Sequence, residues 1–339
     1  MLASGGPERD LWSVMHKRVL DIPAKHRKNG QIPIADRQHP LRQYLRNTAE
    51  RGEDEAQYFA AQTCAAGAKW LEDNRDAEHF LLWLELFDPH EPFDPPKRYL
   101  DMYRNPAYRG PSLIAPWFHS TQAGDFTPEE LEDINALYNA EITHLDHWVG
   151  VLLDKLEEIG RAGDTAVVFV SDHGTLLGER GYMGKNPTIG LGSSRFVCNQ
   201  PLIVRHPHGP RGKRIQELVW SPDYMPTCCE MLGVEPPPTV HGRSFWPLIQ
   251  GVESAGRPHI VAGWHKASLD SGWSESTQYV VDAEWSFLPR SKRCEDELYS
   301  RRDDPNEAGR NLAAERPEVC ERLRKLAHEH LALANSLHA

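Results

Sequence analysis

The chain has 339 residues, 40% of them hydrophobic, and sets 38 Lys and Arg against 49 Asp and Glu for a net charge of -11. That length holds one large domain, or a large and a small one, around a real core. The negative charge excludes non-specific attachment to nucleic acid or to an anionic membrane, and no run of about 18 apolar residues is present to span a bilayer, so an anionic small ligand must be held by a local cluster of cations.

Residues 1–50 are charged, interrupted by Pro23, Pro33 and Pro40, and without hydrophobic periodicity, which predicts extended connecting chain. Residues 55–73 set Tyr58, Phe59, Cys64, Ala68 and Leu71 among helix formers and predict a helix. The apolar run His79-Phe-Leu-Leu-Trp-Leu-Glu-Leu-Phe87 then reads as a buried strand that stops on Asp88-Pro89-His90. The clearest helix begins at Thr127, a capping hydroxyl, with Pro128 at the first helical position and Glu130 completing a capping box. Leu131, Ile134, Leu137, Leu145, Leu152 and Leu156 follow at helical steps, and Gly160 supplies the stop.

A second apolar run, Thr165-Ala-Val-Val-Phe-Val170, ends in Ser171-Asp172-His173-Gly174. Strand, connection with helix, strand is a crossover unit, and it predicts the two runs in one mostly parallel sheet. Pro201-Leu-Ile-Val204 reads as another buried strand, with a helix over residues 223–232 behind it. Past about residue 255 the pattern becomes a hairpin over Tyr279-Val-Val281 and Trp285-Ser-Phe287, then a final helix opened by Pro317. The expected fold class is α/β: a mostly parallel central sheet flanked by helices over residues 51–255, and a small carboxyl-terminal α+β subdomain over 256–339. Six cysteines without CxxC spacing read as free thiols of a reducing compartment. The first ten residues lack the apolar stretch of a signal peptide, so a cytoplasmic location is expected.

Two apolar strands that each stop on Asp and His suggest one polar site, because ligands of open parallel sheets sit beyond the carboxyl ends of the strands. A carboxylate and an imidazole suit a divalent cation acting as Lewis acid on a phosphoryl or sulfuryl oxygen. Alone, Asp172 is as well explained as a cap and His173 as a hydrogen-bonded core residue. The glycine-rich stretch that follows can bring Lys185 back over the site. His144 and His147, one helical turn apart, have zinc spacing but no second pair to complete a four-ligand site. The basic stretch from Arg205 to Arg214 reads as a solvated loop.

On these residues the chain resembles the sulfatase family of the alkaline phosphatase superfamily. Ser171-Asp-His-Gly174 with Leu177-Gly-Glu179 and Lys185 is similar to the family's second metal motif and catalytic-lysine segment, and Phe87-Asp-Pro-His-Glu-Pro-Phe93 to the segment holding its substrate-binding histidine. The likeness continues through Asp146-His-Trp-Val-Gly150, Pro201-Leu-Ile-Val-Arg205, Ser221-Pro-Asp-Tyr-Met-Pro-Thr227, Gly242-Arg-Ser244, Glu297-Leu-Tyr299 and Asp304-Pro-Asn-Glu307. The resemblance implies metal-dependent hydrolysis of a small anionic sulfate ester. Asp172 and His173 would ligate a divalent metal, most often calcium, with manganese, zinc and magnesium as alternatives. Lys185 and His90 would hold the sulfate oxygens, the lysine offsetting negative charge and the histidine protonating the leaving oxygen. A phosphonate or phosphodiester hydrolase of the same superfamily is the sister reading.

The chain also departs from the family pattern. The nucleophile motif Cys/Ser-x-Pro-x-Arg, in which the cysteine becomes formylglycine, has no match, and neither do the paired aspartates of the first strand. Thr175 stands where many relatives have glutamate. The expectation is a sulfatase without its amino-terminal segment, incomplete as an enzyme alone and with an uncovered sheet edge or face. Such a chain is either a non-catalytic truncated product or a subunit of a composite site, as an oligomer or with a complementing amino-terminal polypeptide. Trp117, Phe118, His119, Trp264 and His265 are candidate pocket residues.

Overall fold

Leu41 and Leu45 lie one helical turn apart and are both buried, and they explain the first described helix, α1 (Pro40–Asn47). Residues 40–47 are therefore helical and not the extended chain expected of residues 1–50, because two apolar side chains suffice to seat a short helix that its charged neighbours mask in the sequence. The computed structural model describes residues 40–118, 122–185, 194–252, 256–264, 277–289 and 295–336. These belong to two compact units. The first runs up to Asp164 and includes Gly181–Gly184; the second comprises Thr165–Arg180 and the chain from Lys185 onward.

In the first unit α2 (Phe59–Asp73) and α3 (Pro128–Glu158) pack together. Gly67 permits the approach: a Cβ at that position would stand 2.7 Å from Leu84 Cδ1 and 3.2 Å from Leu152 Cδ1. The start of α3 is the capping box read from the sequence, with Glu130 N donating to Thr127 Oγ1 at 3.2 Å and Thr127 N donating to the Glu130 carboxylate at 2.8 Å. Ile134, Leu137, Ala140, Leu145 and Leu156 bury one face of α3.

Residues 80–87 are extended but have no ladder partner among the described residues. Their side chains alternate. Leu82, Leu84 and Leu86 are half-buried, while Leu81, Trp83 and Phe87 are 72%, 77% and 54% exposed. The parallel pairing expected between this segment and the strand of the 160s is thus not found among the described residues, where the strand of the 160s pairs antiparallel with residues 202–205. The period-two pattern packs one face on α2 and leaves the other bare.

The second unit begins with β1 (Val167–Val170), which pairs antiparallel with β2 (Leu202–Arg205), Val167 opposite Arg205 and Val170 opposite Leu202. Helix α4 (Tyr224–Met231) follows. A four-stranded antiparallel sheet of β3 (His259–Trp264), β4 (Thr277–Asp282), β5 (Trp285–Leu288) and β6 (Glu297–Ser300) carries the predicted hairpin, with Val280 opposite Phe287. The final helix α5 (Pro317–Ser336) lies on that sheet, burying Cys320, Leu323 and Ala327 against Val261, Val280, Phe287 and Leu298.

Candidate active site

β1 ends at Val170 and the chain turns at once through Ser171, whose hydroxyl donates to the His173 carbonyl at 3.0 Å. Asp172 Oδ1 accepts from the His173 amide at 2.8 Å, its Oδ2 lies 3.5 Å from His173 Nε2, and Gln200 Nε2 donates to the Asp172 carbonyl at 2.7 Å. Carboxylate and imidazole are therefore adjacent, and their side chains are 85% and 37% exposed. Gly174 anchors the loop because its amide donates to the Val197 carbonyl at 2.9 Å, an approach so close that a Cβ would lie 2.1 Å from Phe196 O. The turn's geometry thus comes from β1 on one side and the short helix Arg195–Cys198 on the other.

His173 and Lys185 line one open cleft of the second unit, about 1080 Å³ in volume, together with Arg195, Lys213, Arg214 and Arg301. Asp172 is not among its lining residues. In a chain of net charge -11, five cationic side chains against the one lining carboxylate, Glu217, form a local field that favours anions. Lys213 and Arg214 belong to the basic stretch that reads as a solvated loop in the sequence; both are exposed, yet they border the cleft.

His90 belongs to the first unit, three residues beyond the end of the extended segment. Its Nδ1 lies 2.6 Å from the Glu91 carbonyl and 3.7 Å from the Glu91 carboxylate, and its ring tilts against Phe87 at 4.5 Å. The first unit also holds a set of buried and half-buried acids. Ala60 N donates to Asp88 at 3.1 Å, Asp94 N donates to Glu141 at 2.8 Å, and Asp94 pairs with Arg51 and accepts from the Tyr44 hydroxyl at 2.8 Å. Burial outweighs Arg51 and pushes the Asp94 carboxyl up to about 7, and it raises Asp88 and Glu141 as well. His147, the partner that spacing suggests for His144, is exposed, meets Trp148 edge-on at 5.6 Å and lies 6.4 Å from the Tyr99 ring. His144 instead neighbours Glu141 and Asp88. Of the candidate pocket residues, Trp117 packs against Gly184 in the first unit, and His119 and His265 lie outside the described residues.

A strand-end Asp-His loop with a lysine at the rim of a cation-lined cleft is an arrangement that attracts anions. The family model for Sulfatase matches residues 24–234, and that for N-sulphoglucosamine sulphohydrolase, C-terminal, matches residues 193–334. The chain belongs to the sulfatase family. It is 30% identical over 265 residues to an arylsulfatase of Clostridium perfringens, covering 74% of this chain and 53% of that protein. It is 28% identical to arylsulfatase K of Danio rerio, covering 64% of this chain and 41% of that protein. Among solved structures, a phosphonate monoester hydrolase from Silicibacter pomeroyi superposes with a TM-score of 0.65 at 22% identity, covering 82% of this chain and 60% of that one. These structures share the α/β fold expected from the sequence. The chain spans about half the length, or less, of these curated relatives.

Proposed function

We propose that this chain supplies the lysine and second-metal-loop portion of a sulfate-ester hydrolase site. The observation that carries the reading is the shared cleft of His173 and Lys185 with its surrounding cations in a chain of sulfatase ancestry. Lys185 balances charge on the sulfuryl oxygens as the ester bond breaks, and His90 protonates the leaving oxygen. Asp172 and His173 would hold the divalent cation, calcium first, which when bound polarises the ester oxygen. Their donor set fits such an ion in part: one carboxylate and one imidazole on adjacent residues, where calcium takes about six to eight oxygens. The remaining donors and the nucleophile must come from outside the motifs in hand.

The bare row of Leu81, Trp83 and Phe87 on a segment without a ladder partner among the described residues supports the composite reading, in which another polypeptide segment adds a strand there. A calorimetric comparison of an aryl sulfate with an aryl phosphonate monoester, in calcium, tests the assignment. The sulfate ester is expected to bind more tightly, and neither ester to turn over. Tighter binding of the phosphonate would move the reading to the sister reaction. Turnover by the chain alone, abolished in Lys185→Ala, would place a nucleophile within it and end the composite account.

A further inference from the structure

Glu141 and His144 stand three residues apart on α3, and Asp88 opens the turn after the extended segment of the 80s; one ligand atom from each lies within 4.8 Å of the others. His144 is fully buried, and neither of its ring nitrogens has a hydrogen-bond partner among the described residues. The imidazole ring packs 5.3 Å from Tyr58 and 5.2 Å from Tyr99. Buried polar atoms in folded proteins are almost always satisfied, so an imidazole with both nitrogens unsatisfied beside two carboxylates points to a missing ligand.

Both carboxylates are already oriented. The amide of Ala60 fixes Asp88 through Oδ2 and the amide of Asp94 fixes Glu141 through Oε1. Those bonds do not use the second oxygen of either group, and hydrogen bonds of this kind are what orient ligating carboxylates in metal sites. Asp94 acts electrostatically on Glu141, and Arg51 is the cation that offsets the group. One guanidinium does not balance three carboxylates, so ionising all of them requires further positive charge, which a dication supplies.

We propose that Asp88, Glu141 and His144 bind a divalent first-row transition ion, zinc or manganese by their mixed carboxylate and imidazole donors, at a site separate from the Asp172–His173 loop. The ion would tie α3 to the chain two residues before His90, which makes the three ligands positioning residues for that histidine. The competing arrangement is a shared proton among the acids, consistent with the raised Asp88 and Glu141 carboxyls.

The test uses the full chain carrying Asp172→Ala and His173→Ala, which removes the side-chain donors of the other loop. After treatment with a chelator it is titrated with Co²⁺ as spectroscopic probe and with Zn²⁺, reading visible absorption, metal retained through gel filtration, and Tm. The expected result is one ion retained per chain, a visible Co²⁺ spectrum and a raised Tm. Glu141→Gln and Asp88→Asn, checked for folding by circular dichroism, should each weaken binding by about tenfold or more. Retention of no metal by the folded parent overturns the proposal, as does binding that neither folded variant weakens. Where a variant does not fold, the parent titration decides.

Discussion

Asp223→Ala is expected to destabilise the second unit by about 3–5 kcal/mol, the cost of breaking a buried ion pair from one side. Asp223 is 1% exposed and all its hydrogen-bonding capacity is spent. Oδ2 accepts from Trp220 N at 2.8 Å and from Arg257 Nε at 2.8 Å, while Oδ1 accepts from Arg243 N at 2.9 Å and from the second guanidinium arm of Arg257. Removal would orphan two backbone amides and a cation that is also stacked on Trp220. The same turn is tied a second time, since Thr227 Oγ1 donates to Asp223 O and accepts from Phe245 N. Urea unfolding followed by tryptophan fluorescence measures the effect as a drop in midpoint. A midpoint within error of the parent would mean that this knot contributes nothing.

Gly174→Ala should have a smaller effect on stability and a larger one on ligand binding. The added methyl would meet the carbonyl oxygen of Phe196 at 2.1 Å, and that oxygen is backbone of the short helix, unable to rotate aside. Relief requires the Asp172–His173 turn to move, at an overpacking cost of about 1–3 kcal/mol and with the loss of the 2.9 Å bond to Val197 O. Gly150→Ala is the control: it lies within α3, and a Cβ there has nothing within 4 Å. That change should be neutral or stabilise by about 0.5–1 kcal/mol through helix propensity. Parallel unfolding curves and ester titrations of both variants separate a steric effect at the loop from a general response to alanine.

Much of this architecture is legible because short-range rules govern it. The capping box at Thr127, the hairpin of β4 and β5 and the final helix follow from residues within a few positions of one another. Ser221-Pro-Asp-Tyr-Met-Pro-Thr227 and Gly242-Arg-Ser244 are visible as motifs of the family; their physical reason emerges in the fold, where Arg243 N reaches Asp223 and a Cβ on Gly242 would lie 1.8 Å from Pro222 O. Ladder direction is not legible in the same way. A run of valines records burial, not the partner strand, and β1 pairs antiparallel with a strand more than thirty positions on. Residues 80–87 read as a buried strand by composition, yet alternate residues are bare, since exposure depends on which neighbours are present.

The same division holds for the site. Asp172, His173 and Lys185 stand out because a strand end and a glycine-rich return place them locally, and the motif order carries His90. The acids gathered about His144 come from the extended segment, its following turn and α3, separations that no local pattern records. Helical spacing therefore suggests His147 as the partner of His144, whereas tertiary packing supplies Glu141 and Asp88. The cations of the cleft are hidden for a similar reason: a basic loop looks solvated until the fold places it at the rim of a cavity.

The most direct test of the central claim is the affinity of the chain for an aryl sulfate before and after Lys185→Ala, measured by calorimetry at fixed ionic strength, with Lys155→Ala on α3 as a charge-matched control. The account predicts a loss of about tenfold or more for Lys185→Ala, partial recovery in Lys185→Arg, and no change for Lys155→Ala. Equal affinity in the parent and Lys185→Ala would contradict the assignment of this cleft as the sulfate-ester site.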